Sequence, residues 1–279
     1  MTVRDYYINA KNLLQKSGIE DFAYDARLIL ENILSIGHNE WLISLNKNIP
    51  SEKLALLDEK LEKRQNRYPL QYILGEWNFY KYSFKVGEGV LIPRSDTEIL
   101  VEKCCEYLKT VKQPKVLDLC AGSGCIGISI AKDFPQSAVF AVEKFDSALE
   151  YLNRNIEHNN ATNVTVIKGD VLAGDGSDGV YNLIVSNPPY IPPCEMEIIS
   201  PETRFEPKTA LLGGQDGMLF YKAIVKEYKN SLTKGGMLAF EVGINEDRKV
   251  AEILKTADFK NITVTKDFNG INRVVTAIK

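Results

Sequence analysis

From residue 115 onward the chain alternates short apolar, β-branched segments with amphipathic ones, and this alternation restricts the fold more than any other feature. Strands are expected at 115–119 (Lys-Val-Leu-Asp-Leu), 138–143, 163–168, 180–186 and 236–242, with helical patterns at about 125–133, 146–159 and 217–232. Apolar strands separated by helices predict a mostly parallel sheet covered on both faces, a doubly wound α/β fold. A helix near 246–256 is followed by strands at 261–266 and 272–278, with Asn269-Gly270 between them. Asn-Gly is a hairpin signal, so the sheet is expected to finish with an antiparallel strand.

The preceding chain reads differently. Residues 1–68 carry apolar residues at three-to-four spacing, as in Tyr24–Leu34 and in Leu54, Leu57 and Leu61 after Ser51. They predict a small all-α domain whose composition assigns it no chemistry. Pro69 breaks the helix. Residues 69–94 are expected to be a linker with a β-hairpin at Trp77–Val86. Ser95 with Glu98 forms a capping-box pattern, so a helix is expected from about 96 to 110, opening an α/β domain at 95–279.

Charge narrows the partners. Lys and Arg number 34 against 37 Asp and Glu, and residues 1–90 hold 12 of each sign. Neither part is basic enough to hold nucleic acid by phosphate neutralisation alone. Lys60, Lys63, Arg64 and Arg67 form a local basic cluster, which a solvated helix face explains as well. The five cysteines include no C-x-x-C pair and the two histidines lie far apart, against a metal site or a disulfide framework. Free thiols fit a reducing cytoplasm. No apolar run approaches the length of a membrane span, and Met1–Tyr6 does not start a signal peptide, so a cytoplasmic location and no membrane contact are expected.

Asp118-Leu119-Cys120-Ala121-Gly122-Ser123-Gly124-Cys125-Ile126-Gly127 follows the first strand of this run and opens a helix. Glycines there let the backbone turn sharply and approach a ligand. Glu143 ends the next strand, where an acid can bind ribose hydroxyls. The spacing fits NAD or S-adenosylmethionine. Asp118 favours the second, because it would repel a pyrophosphate and attract a sulfonium and an ammonium. Asp170, at the end of the following strand, can approach an adenine amino group; a surface turn is its other reading.

Ile184-Val185-Ser186-Asn187-Pro188-Pro189-Tyr190 ends a buried strand at the carboxyl edge of the sheet, where open α/β folds bind ligands. Two prolines remove two backbone donors and leave carbonyls and one carboxamide oxygen as acceptors. Such a group suits an NH2. Tyr190 offers a flat face for a planar amide or base. A proline turn with a buried tyrosine is the plain alternative.

These segments resemble class I S-adenosylmethionine-dependent methyltransferases that modify a planar nitrogen and share an (Asn/Asp/Ser)-Pro-Pro-(Tyr/Phe/Trp) motif. Pro69–Gly75, Gly89–Glu98, Asn187–Ile191 and Arg204–Leu211 resemble one branch, the HemK/PrmC family of peptide chain release factor glutamine methyltransferases. The resemblance covers nearly the whole chain. Departures are Ser95, where proline is expected, and Cys120-Ala121, where Gly-Thr is expected. The resemblance implies a Rossmann-like methyltransferase sheet and a substrate-docking N-terminal domain. It implies S-adenosylmethionine as cofactor and release factors, through the glutamine of their Gly-Gly-Gln loop, as partners of a monomer. Asp118, Cys120, Ala121, Gly122, Ser123, Gly124, Glu143, Asp170, Val171 and Asn187 are then expected around the cofactor. Asn187, Pro188, Pro189 and Tyr190 are expected around the glutamine, with Asn187, Pro188 and Tyr190 catalytic. The chain's own Gly213-Gly214-Gln215 reads as a turn.

Two other functions compete. A DNA or RNA amino-methyltransferase would share Asn-Pro-Pro-Tyr but would want a basic recognition domain, which residues 1–90 do not supply. An NAD-dependent oxidoreductase, or a non-catalytic cofactor-binding protein, conflicts with Asp118 and the tetrapeptide.

Overall fold

Thr2 begins the first helix with a reciprocal cap: its hydroxyl accepts the Asp5 N–H while the Asp5 carboxylate accepts the Thr2 N–H, satisfying donors that a helix start leaves orphaned. This helix, α1 (Val3–Lys16), is followed by α2 (Phe22–Leu34), α3 (Trp41–Ser44), α4 (Ser51–Gln65) and α5 (Leu70–Leu74). Their apolar stripes close on a core that includes Leu14, Leu30 and Leu57, none of them exposed. In the computed structural model, which describes residues 1–279, this core belongs to a unit of Met1–Glu76 with Ser200–Phe205.

The basic cluster on α4 is not a uniform solvated face. Arg64 is buried, donates to Asp25 at 2.6 Å and reaches Glu202 at 3.1 Å. Arg67 pairs with the same Glu202 at 3.0 Å, and Lys63 pairs with Glu59. Asp25 and Glu202 thus occupy the two arginines, so the cluster is neither an open cationic patch nor fully hydrated.

The second unit is Trp77–Ile199 with Glu206–Lys279. Strand β1 (Glu76–Phe79) pairs with β2 (Tyr82–Lys85) in the expected hairpin. Helix α6 (Ser95–Leu108) follows, but the expected capping box does not form. Arg94 is the cap residue and no side chain caps the helix. Glu98 instead accepts the Tyr80 N–H of the hairpin turn at 2.9 Å. A long-range backbone donor has taken the acceptor that local spacing assigned to the helix start.

Then β3 (Lys115–Leu119), α7 (Cys125–Asp133), β4 (Ala138–Glu143), α8 (Asp146–His158), β5 (Val164–Lys168), β6 (Tyr181–Ser186), α9 (Leu219–Tyr228), β7 (Leu232–Glu241), α10 (Asp247–Thr256), β8 (Lys260–Lys266) and β9 (Asn272–Ile278) complete the chain. The sheet order is β5-β4-β3-β6-β7-β9-β8, with β9 antiparallel to both neighbours and the pairs from β5 to β7 parallel. β7 begins at Leu232, earlier than expected, and α9 is correspondingly shorter than its pattern.

Period-two alternation divides the core. Val116, Val139, Leu183, Val185 and Ala239 pack on one face with α6 and α7. Leu117, Leu119, Ile184, Leu238 and Phe240 pack on the other with α9 and α10. The chain order reverses beside β3: β4 lies on one side and β6 on the other. Such a switch point opens a crevice at the carboxyl ends of the strands.

Candidate active site

A cavity of about 370 Å³ occupies that crevice. Its wall includes Cys120, Ala121, Gly122 and Ser123 after β3, Glu143 at the end of β4, Asp170 and Val171 after β5, and Asn187 and Pro189 after β6. Three strand ends and the β6 exit therefore bring most of the sequence-expected residues to one place.

The glycine loop is held from behind by carboxylates. Glu143 is buried; its Oε2 accepts the Gly122 N–H at 2.9 Å, and its Oε1 accepts the N–H groups of Lys144 and Phe145. Asp118 accepts the Gly127 N–H at 2.9 Å. Asp118 is fully buried and is not part of the cavity wall. Alternation along β3 puts it with Val116, toward α6 and α7. Burial pushes its carboxyl up to about 7, opposed by the Gly127 N–H.

Gly122 has φ +56°, and a side chain there would project into open space. Cys120 has φ +60° without being glycine, a left-handed backbone that the glycine expected at this position would adopt without strain. Burial raises its thiol pKa strongly, so Cys120 is a poor nucleophile. Asn155 of α8 donates to the Ser123 carbonyl at 2.9 Å, and Ser186 donates to the Leu119 carbonyl at 2.7 Å. These bonds tie the loop to its neighbours.

Asp170 accepts from Lys144 at 2.7 Å and from the Leu172 N–H at 2.9 Å. Both contacts lower its pKa, Lys144 most. It stays an acceptor at the cavity wall.

At the tetrapeptide, Asn187 Nδ2 donates to Thr97 Oγ1 at 3.3 Å, so its carboxamide oxygen is left for another donor. Pro188 and Tyr190 do not line the cavity. The Tyr190 ring packs against the α9/α10 core and burial raises its pKa. Gly213 explains part of this: a Cβ there would lie 2.5 Å from Tyr190 Cα and 2.7 Å from the Pro189 oxygen. The Gly213-Gly214-Gln215 segment is thus a close-packed turn, with Gly213 buried and Gln215 exposed.

No chemical signal in the sequence marks the rest of the lining. Leu91, Ile92, Pro93, Arg94 and Thr97 belong to it, as do Phe145, Leu172, Leu212 and Phe220. The segments Gly89–Glu98 and Arg204–Leu211 carried only a likeness. The structure gives them a shared reason: buried Glu206 accepts the Ile92 N–H at 2.9 Å and pairs with Arg94.

Comparison with known proteins identifies the family of the chain. Residues 95–199 match the model of the Methyltransferase small domain, and residues 5–75 match that of the PrmC N-terminal domain. The chain is 38% identical over 277 residues to a release factor glutamine methyltransferase of Fusobacterium nucleatum, covering 99% of this chain and 78% of that one. It is 34% identical over 282 residues to a protein of the same name from Clostridium botulinum, covering 100% of each. Among solved structures, the catalytic domain of hMettl16 superposes with a TM-score of 0.55 at 14% identity, covering 82% of each chain. That likeness concerns the fold alone. No helix is long and apolar enough to cross a membrane.

Proposed function

The chain belongs to the family of release factor glutamine methyltransferases, and we propose that it transfers a methyl group from S-adenosylmethionine to the side-chain amide nitrogen of the glutamine in a release factor's Gly-Gly-Gln loop. The observation that carries this reading is the pairing, in one cavity, of an acid-backed glycine loop with a carboxamide acceptor flanked by prolines.

The residues fit the cofactor. The Gly122 N–H at the cavity wall is already occupied by Glu143, and the Gly127 N–H inside α7 by Asp118. The loop therefore suits a cationic ligand better than a dinucleotide. Glu143 would take the ribose hydroxyls, Asp170 the adenine amino group, and Val171 an apolar contact. Asp118 would act from behind, by holding the loop and by its field. When bound, the cofactor would supply an electrophilic sulfonium methyl.

An amide nitrogen is a weak nucleophile because its lone pair is delocalised, so positioning is the main demand on the protein. Asn187 Oδ1 and the backbone carbonyl at Pro188 would each accept one hydrogen of the target NH2. They would aim the nitrogen and stabilise positive charge as it grows there. Pro189 walls the site. Tyr190, packed behind the tetrapeptide, would shape the site rather than lie flat on the target. The proton can leave after transfer, so no strong base is needed.

The reading carries with it a cytoplasmic monomer whose residues 1–68 dock the release factor, with 69–94 as the linker to the methyltransferase domain at 95–279. Incubation with labelled S-adenosylmethionine and either release factor or nucleic acid tests it. Mass spectrometry should find one added methyl on the Gly-Gly-Gln glutamine; methyl on adenine instead would establish the nucleic-acid alternative.

A further inference from the structure

We propose that Ser200–Phe205 is a strap through which the helical unit sets the shape of the cavity, with Glu202, Phe205 and Glu206 as positioning residues; the proposal deepens the amide-methylation reading above, and its rate measurement rests on that reading. After the tetrapeptide the chain leaves the second unit at Ile199, contributes Ser200–Phe205 to the helical unit and returns at Glu206. Connections this long inside a compact fold usually serve a function.

The excursion is pinned at its base and at its far end. At the base, directly after Tyr190, the Ile191 N–H donates to the Leu211 carbonyl at 2.8 Å and the Gly213 N–H donates to the Ile191 carbonyl at 3.0 Å. In the helical unit, Glu202 accepts from Arg64 at 3.1 Å and from Arg67 at 3.0 Å. The Phe205 ring meets the Tyr68 ring edge-on, with centroids 5.3 Å apart, a favoured aromatic geometry.

Glu206 is the next residue, and it is buried between two stretches of the cavity lining. Its Oε2 accepts the Ile92 N–H at 2.9 Å and its Oε1 pairs with Arg94. Ile92, Pro93 and Arg94 line the cavity, and so do the residues that follow Glu206, Pro207 to Ala210. One carboxylate thus joins both stretches. The bonds of the second stretch are short-range: Ala210 N–H donates to the Pro207 carbonyl at 2.9 Å, and Leu212 N–H to the Lys208 carbonyl at 2.9 Å. Its placement therefore depends on its two ends, Glu206 and Leu211. Pro207 holds Glu206 to extended backbone, and one peptide bond joins Glu206 to the anchored Phe205. An anchor in the helical unit in this way reduces the freedom of the cavity lining.

The test uses the full chain, with Glu202→Ala/Phe205→Ala as the strap variant. Arg64 keeps Asp25 at 2.6 Å and Arg67 keeps the Gly18 carbonyl at 2.8 Å, so no buried cation is orphaned and the helical unit should fold. Hydrogen exchange read by mass spectrometry, with no ligand present, should rise at least about tenfold in peptides covering 89–94 and 206–212, and should stay as in wild type in β3 and β4. At saturating S-adenosylmethionine and release factor, kcat should fall about tenfold, because only molecules with both stretches in place turn over. Glu202→Gln/Phe205→Tyr, which keeps an acceptor and a ring, should restore most of both. Phe205→Ala alone touches no ion pair and should give the same pattern at smaller size, which serves if the double variant does not fold. Glu206→Gln keeps an acceptor for the Ile92 N–H and loses the charge paired with Arg94. Added to the strap variant, it should lower kcat by a smaller factor than it does alone, because both act through one residue. Additive losses, undiminished kcat in the strap variant, or faster exchange confined to α4 and 200–205 overturn the proposal. Unchanged exchange at 206–212 rejects the strap whatever the substrate proves to be. Failure of the wild type to methylate release factor, with exchange raised as stated, strikes the functional reading and leaves the strap standing.

Discussion

The two halves of the cavity are built on opposite plans. On the β3/β4 side, carboxylates sit behind the backbone and hold its N–H groups, so the loop is rigid before any ligand arrives: Glu143 alone takes three amide protons. On the β6/β7 side, prolines strip donors away and one carboxamide is anchored by its nitrogen to Thr97. The first half spends its acids on shape. The second leaves an acceptor free. Damage to the first should therefore appear as lost binding and lost stability, and damage to the second as lost rate.

The sharpest break in that symmetry is Asn187→Ala. It removes the free acceptor and keeps the prolines, and losing a positioned polar contact of this kind costs about 10²–10³ in rate, or ~2.7–4 kcal/mol. Cofactor affinity should fall much less. Single-turnover rates and calorimetry on the same variant check both statements; near-normal turnover at saturation would remove Asn187 from the chemistry.

Glu143→Ala should do the reverse. Three partly buried N–H groups lose their acceptor and the ribose loses its partner, so cofactor affinity should drop by about 2–3 kcal/mol, with a fall in unfolding midpoint. If turnover at saturating cofactor suffers more than affinity does, the division between the halves is wrong.

Glu241, the last residue of β7, is expected to act on stability, and Glu241→Gln tests this. Burial lifts the folded-state pKa of Glu241 from 4.5 to about 7. The native state thus keeps a proton that the unfolded chain has already lost, and this group's contribution to stability declines as pH rises through that interval. Glutamine cannot ionise. The variant should therefore be more stable than wild type at pH 8, by up to about 2–3 kcal/mol, and the gap should close toward pH 4. Urea denaturation at several pH values reads it. A constant gap would show that ionisation of Glu241 is not its source.

The smallest effect is expected at Cys120→Gly. Relief of the left-handed backbone contributes about 1 kcal/mol, offset by lost burial of the thiol and by glycine's entropy in the unfolded chain. A net change in stability below about 1 kcal/mol, with cofactor affinity near that of wild type, would confirm that the loop tolerates this residue because its neighbours hold it. A large loss would give the thiol a packing role of its own.

Much of this molecule could be read before its structure. Hydrophobic periodicity is a local signal, and the apolar runs of β3, β4 and β6 with their intervening helices are long and regular enough to specify a parallel sheet. Asn269-Gly270 marked the final hairpin for the same reason. Glycine spacing after β3 and the proline pair after β6 marked the cavity because unusual backbone demands unusual residues.

Pairings made across the chain left no such mark. Glu98 answers the Tyr80 N–H rather than its own helix start, and Arg64 and Arg67 are claimed by a glutamate 138 and 135 residues away. Asp118 lies behind the loop rather than on the cavity wall, because strand alternation and the covering helices, not the glycine spacing, aim its side chain. The meeting of Asn187 and Thr97 depends on the end of β6 lying beneath the first turn of α6. Sequence by itself determined the elements and the residue types at the strand ends, because those follow from periodicity and local backbone chemistry. Which carboxylate holds which N–H, and which end of a carboxamide is free, was decided only by tertiary structure, because a hydrogen bond is a matter of distance and direction between atoms that the chain brings together only on folding.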